Sequence, residues 1–176
     1  MKRIAFLAAI LACVNGYSLN VGDPAPALPS SGWINPPDTA DLTDLVGSVV
    51  IVELWGINCP PCRASLPKMD AFLKDHKEEG LHVFTFHVQN EDDKAKALFE
   101  EQGYSLPLSF DHRAASQYSF SNGIPMAIVI GVDGKILHLG RPDDAKDKAL
   151  EELKKVKFPG LGRTDIDAKL AGAAKS

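Results

Sequence analysis

The chain is short of cysteine, with three in 176 residues, so a fold held together by a network of disulfide staples is excluded. It has no excess of positive charge. A formal net charge of −4 argues against a surface made for the nucleic-acid backbone, and no nucleic-acid partner is expected. It also lacks a long hydrophobic run: Ile4 to Val14 is a stretch of eleven, against roughly 20 for a membrane span. No repeat and no break in composition marks a second domain. What is present, 45% hydrophobic and 24% charged residues, is ordinary for one soluble domain with a proper core.

Lys2-Arg3 followed by Ile4 to Val14 reads as a secretory signal, residues 1–18, with cleavage after Gly16 or Ser18. Ile10-Leu11-Ala12-Cys13 gives a rival reading, a lipoprotein signal with Cys13 as the lipidated residue. Either way the chain is expected to be exported, into a periplasmic or other extracytoplasmic compartment. A mature chain then keeps Cys59 and Cys62, and export places them where a cysteine pair oxidises. A bridge closing so short a loop adds little unfolded-state constraint, so a purely structural staple is the weaker explanation.

Asn20 to Leu28 is a proline-punctuated, extended lead-in. Ser30 to Asp41 is a loop in which Trp33 either covers a groove or plugs the edge of the core. Val49 to Trp55 is the apolar run of a central strand buried on both faces. Arg63 to Lys77 carries a helical pattern, with Leu66, Met69, Phe72, Leu73 and His76 on one side, a kink expected at Pro67, and an end at Glu79-Gly80. Leu81 to Val88 is a second strand, Glu91 to Gln102 a helix with Ala95, Leu98 and Phe99 inward, Leu106 to Phe110 a short strand and Arg113 to Tyr118 a short helix. Met126 to Val132 is a third strand, Asp133-Gly134 a primed two-residue turn, and Lys135 to Arg141 the returning strand. Asp143 or Asp144 is expected to cap a last helix with Ala149, Leu150, Leu153 and Val156 inward. Residues 158–176, rich in Gly and Ala, are expected to be a loosely attached tail. The order predicts an α/β domain over 19–157: one central mixed sheet with helices on both faces and an N-terminal extension.

Cys59-Pro60-Pro61-Cys62 decides the chemistry. The pair stands at the junction of a buried strand and a helix start. A helix N-terminus presents unpaired N–H groups and a positive dipole end, which favour thiolate over thiol. The thiolate is the nucleophile of disulfide exchange.

Trp55-Gly56-x-x-Cys59-Pro60-Pro61-Cys62, with Pro67 eight residues after the first cysteine, Gly123-Ile124-Pro125, Ile128-Val129-Ile130-x-x-Asp133-Gly134-Lys135 and the start Asn20 to Pro26 together resemble the thioredoxin superfamily, in particular its TlpA/ResA-like extracytoplasmic thiol-disulfide oxidoreductases. The resemblance runs from about Leu19 to Lys157. It implies a thioredoxin-like fold and Cys59 as the attacking sulfur, resolved by Cys62. It implies a buried carboxylate at Glu53 that takes the Cys62 proton, and a cis Pro125 that turns the Ile124 backbone toward the thiols to pair with a substrate strand. Trp55, Pro60 and Pro61 complete the expected partner-binding surface. For Glu53 the alternatives are an outward-pointing edge residue or a pairing with lysine. The implied redox group is the Cys59–Cys62 disulfide itself, with no separate cofactor and no metal. The implied partners are disulfides or thiols of exported proteins (cytochrome c apoproteins, other thioredoxin-like proteins, misfolded proteins), with electrons from a membrane thiol donor and the chain acting as a monomer. The two prolines remove N–H donors from the Cys59 sulfur, which leans the pair toward reducing its partners. Asn58 and Glu53 depart from the family pattern, which usually has a bulky residue before the first cysteine and often asparagine in the strand.

Three competing readings attach to the same residues. Cys59-x2-Cys62-x13-His76-x5-His82 has the spacing of a Cys2His2 zinc finger, in the wrong context, because here the cysteines open a helix. A non-catalytic binding module would use the same fold as a docking surface or copper carrier with the thiols incidental, and a copper carrier would space its cysteines by three. A thiol peroxidase would want threonine where Gly56 stands.

Overall fold

A computed structural model describes residues 19–121 and 123–157. The expected signal segment with Cys13 and the expected tail 158–176 lie outside the described residues. The elements are β1 (Trp33–Ile34), β2 (Val49–Trp55), α1 (Pro60–His76), β3 (Leu81–His87), α2 (Asp92–Gln102), β4 (Leu108–Ser109), α3 (His112–Gln117), β5 (Met126–Ile130), β6 (Ile136–Gly140) and α4 (Pro142–Leu153). They form one six-stranded sheet in the order β1-β4-β3-β2-β5-β6. β2 runs parallel to β3 and antiparallel to β5, so the sheet is mixed. Among the described residues no helix is long and apolar enough to cross a membrane.

β2 is buried along its whole length, as its unbroken apolar run predicts. Side chains alternate across the sheet, so Val49, Ile51 and Trp55 join one core and Val50, Val52 and Leu54 the other. The first core is closed by Leu66 and Met69 of α1, Ala95 and Phe99 of α2, and Ala145, Ala149 and Leu153 of α4. The second is closed by Ala114 and Ala115 of α3, by Tyr118, and by the N-terminal lead-in through Leu19, Leu28 and Leu45. Helices do lie on both faces. The second, however, has a single short helix, and irregular chain completes its cover. Trp33 plugs that edge: its ring sits 5.4 Å from Phe84 and 5.5 Å from Phe86, and its indole N–H donates to the Pro29 carbonyl at 2.8 Å.

Several expectations are corrected. Ser30 to Asp41 contains a short strand, β1, paired antiparallel with β4. The β5–β6 turn is not of the primed type. Type I′ needs a positive φ at both central residues and type II′ at the first, but of Asp133-Gly134 only the second residue, Gly134, has one, at 77°. Gly134 N–H closes onto the Gly131 carbonyl and Gly131 N–H onto Lys135, the longer bulged connection, and the ladder shifts register between Val129 and Ile130. The cap of α4 is Arg141, with Pro142 opening the helix, while Asp143 and Asp144 sit in its first turn, where carboxylates suit the dipole. Leu150 faces solvent, and Ala145 and Glu152 are buried in its stead.

Candidate functional site

The end of β2 feeds directly into α1. Cys59 is the N-cap residue, in extended conformation (φ −111°, ψ 100°), and Pro60 and Pro61 take the first helical positions, where an N–H has no helical partner. The first N–H after the prolines belongs to Cys62, and it donates to Cys59 Sγ at 3.2 Å. The two sulfurs are bonded as a disulfide. Cys59 is 8% exposed and Cys62 wholly buried, so Cys59 is the more accessible of the two. Pro60 and Pro61 lie exposed beside it.

Across from the sulfurs stands the Ile124-Pro125 bond, which is cis. The Ile124 carbonyl oxygen lies 3.7 Å from Cys59 Sγ. Arg141 holds this segment from behind, donating to the Pro125 carbonyl at 3.2 Å. Ile124 also lines a cleft of about 410 Å³ that runs over Leu54, Val88, His112, Ser119 and Met126.

Beneath α1, Glu53 is fully buried in the middle of β2, on the same face as Trp55. It is not an edge residue, and among the described residues no lysine pairs with it. Its Oε1 is 2.5 Å from Ser65 Oγ, and among the described residues Oε2 meets no partner. Burial pushes its carboxyl up to about 7, a rise that the Ser65 hydroxyl and the more distant Lys146 ammonium partly offset. Trp55 is wholly buried, which corrects the expectation that it contacts a partner. Its ring packs on His87 at 5.0 Å and Phe99 at 5.5 Å.

The link Gly56-Ile57-Asn58 is gripped by the chain that follows β3, and sequence reasoning missed this. Ile57 N–H donates to His87 Nε2 at 3.2 Å, Asn58 N–H to Gln89 Oε1 at 2.8 Å, and Asn58 Nδ2 to Glu91 Oε2 at 2.6 Å. His87 is buried and neutral: burial lowers its pKa, Nε2 accepts, and Nδ1–H donates to Asp92 at 2.8 Å. Gln89 lies so close over Gly56 that a methyl group there would come within 2.3 Å of its side chain. Glu91 adopts φ 76°, uncommon for a residue with a side chain. One signal was available beforehand, the polar Asn58 in a place where the family prefers bulk.

The histidines of the zinc-finger spacing are elsewhere. His76 ends α1 and meets Glu79 at 2.9 Å, and His82 lies in β3. Among the described residues no group of three potential ligands converges.

The sequence pattern of the Redoxin family matches residues 20–156. The thiol-disulfide oxidoreductase ResA of Bacillus thuringiensis (strain Al Hakam) is 26% identical over 117 residues, 66% of this chain and 68% of that one. Among solved structures, a thiol:disulfide interchange protein of the thioredoxin family from Chlorobium tepidum superposes with a TM-score of 0.61 at 25% identity, covering 74% of this chain and 97% of that one. The thioredoxin domain of a thiol-disulfide oxidoreductase from Bacteroides vulgatus gives 0.62 at 22% identity, covering 76% and 98%, a likeness of fold.

Proposed function

The chain belongs to the Redoxin family and is a thiol-disulfide oxidoreductase of ResA-like type, and from that premise we propose that it reduces disulfides of exported proteins through Cys59 and Cys62. Cys59 thiolate attacks one sulfur of the partner disulfide. The partner S–S bond breaks, and its other sulfur leaves as thiolate. Glu53 takes the proton of Cys62, whose sulfur attacks Cys59 and expels the second partner sulfur. The partner gains two electrons, and the Cys59–Cys62 pair is left oxidised.

The observation that carries this reading is the disulfide at the cap of α1, with its outer sulfur facing the Ile124 carbonyl of the cis segment. A carboxyl near 7 in a fully buried position suits a base that accepts and returns one proton at neutral pH. The exposed prolines and the Ile124 backbone form the surface where an extended partner strand docks. The reducing direction rests on the sparse donor set: Cys62 N–H is the donor on Cys59 Sγ that the two prolines leave. Fewer donors stabilise the thiolate less, which favours the oxidised pair and makes the dithiol the better reductant. Its setting is extracytoplasmic, with electrons supplied by a membrane thiol donor.

Trapping tests it. Cys62→Ala should hold the mixed disulfide on Cys59, and mass spectrometry of the adduct should name exported proteins. An envelope extract that yields no adduct, together with unchanged insulin reduction by a variant lacking both cysteines, rejects the proposal.

A further inference from the structure

Ser65 stands one turn after Cys62 on the underside of α1 and makes two short polar contacts. Its Oγ is 2.5 Å from Glu53 Oε1 and 2.8 Å from the Cys62 carbonyl oxygen. A serine hydroxyl has one proton to donate and can accept at its lone pairs. The Cys62 carbonyl only accepts. Ionised Glu53 also only accepts, so one hydroxyl proton cannot serve both. Protonated Glu53 removes the conflict: its O–H donates to Ser65 Oγ, and Ser65 donates onward to the Cys62 carbonyl. Among the described residues Ser65 makes the one hydrogen bond to Glu53, since Oε2 meets none.

We propose that Ser65 is a positioning residue that couples the proton on Glu53 to the redox pair, its hydroxyl turning to Glu53 when the carboxylate is ionised and to the Cys62 carbonyl when it is protonated. This rests on the reading of Glu53 as the base for Cys62. In the ionised state the hydroxyl faces the carboxylate because a charge-assisted bond is the stronger of the two. That bond holds Glu53 ready to accept. When the Cys62 sulfur forms its bond to Cys59 and the partner sulfur departs with the electron pair, the Cys62 proton passes to Glu53. The carboxyl then donates to Ser65, and Ser65 turns its own proton to the Cys62 carbonyl at the start of α1. Reduction of the pair reverses the sequence.

The other groups around Glu53 do not offer the same service. Its neighbours across the sheet are Thr85 on β3 and Ala127 on β5, and the Thr85 hydroxyl donates to the Pro107 carbonyl. The charges that act on it from α4 are Lys146 and Asp143, opposite in sign and paired with each other at 2.8 Å. His87, two residues along β3 on the same face, is bonded to the Ile57 N–H and to Asp92, and Cys59 and Cys62 become titratable once reduced. Ser65 is thus the donor that distinguishes ionised from protonated Glu53 at contact distance.

The test is the pH dependence of single-turnover oxidation of the reduced protein by oxidised glutathione, in wild type, Ser65→Ala, Ser65→Thr and Glu53→Gln. Wild type should show an inflection near neutral pH that Glu53→Gln removes. Ser65→Ala should move it upward by about one pH unit or more, as loss of a bond to a charged group implies. Ser65→Thr, which keeps the hydroxyl, should return it close to wild type. If Glu53→Gln removes the inflection but Ser65→Ala leaves it in place, the Ser65 inference falls and the Glu53 reading stands. If the inflection survives in Glu53→Gln, the Glu53 reading falls and takes this one with it. Should Ser65→Ala fail to fold, Ser65→Val against the isosteric Ser65→Thr makes the same comparison.

Discussion

The central strand β2 faces two interiors that are equally buried and differ in content. On one side Val50, Val52 and Leu54 meet Ile128, Ile130, Phe84 and Phe86, and every one is apolar. On the other, Val49, Ile51 and Trp55 share the space with both sulfurs, and the buried polar residues Glu53, Thr85 and His87 of β2 and β3 all lie there. Burial does not distinguish the two sides, since residues of each are 0–1% exposed along β2. The difference teaches that the reactive side is a core that holds titratable groups, whereas the opposite side is filled by apolar residues and meets the site only where Leu54 and Met126 line the cleft beside Ile124.

The comparison breaks most visibly at Ile128, on the apolar side. Ile128→Ala should lower unfolding free energy by about 2–5 kcal/mol, read as a urea midpoint, while folded variant still reduces insulin at the wild-type rate. A matching loss of rate would mean that the two sides are not separable.

A smaller effect, about 3 kcal/mol, is expected from Glu53 through pH. Its carboxyl is raised from 4.5 to about 7 in the folded protein. Between those values the folded state keeps a proton that the unfolded state has lost, so stability is fullest below 4.5 and falls as pH rises through 7. His87 and His82, lowered by burial, act with the opposite sign: the unfolded state binds the extra proton, and stability falls as pH drops below about 6.5. The measurement is therefore the difference between wild type and Glu53→Gln in urea unfolding at pH 5 and pH 8. A difference that does not change with pH would place no titrating carboxyl on this side.

The smallest expected effect sharpens the boundary of the reactive side. Asn58→Ala removes one side-chain bond to Glu91 at the surface and should cost less than about 1 kcal/mol, yet it should alter the alkylation rate of reduced Cys59, which follows directly in sequence. Unchanged alkylation would confine the grip on the link to its backbone bonds.

The strands that pack by simple alternation or as continuous apolar runs were legible in the sequence. β2 spans Val49–Trp55 as read, and β3 and α2 fall within a residue of expectation. The cysteines and the buried Glu53 were legible as local signals, a spaced pair and a carboxylate within an apolar run, whereas the cis Pro125 came from the resemblance to the thioredoxin superfamily alone. Three things were not. β1 is two residues long and owes its existence to β4, where Ser109 stands opposite Trp33 and Leu108 opposite Ile34, so no local period marks it. Leu150 looked inward because its spacing from Leu153 fits a helix stripe, but the stripe of α4 runs through Ala145, Ala149 and Leu153. The hold of His87, Gln89 and Glu91 on the Cys59 approach joins segments about thirty residues apart, and spacing gives no hint of such contacts.

The contact of Gln89 with Gly56 ties two distant letters of the chain together. A methyl group at position 56 would push the Gln89 amide aside and off the Asn58 N–H that it accepts from, unless a shorter residue stood at position 89. The choice of residue at one position thus sets whether the other can still brace the turn that leads to Cys59.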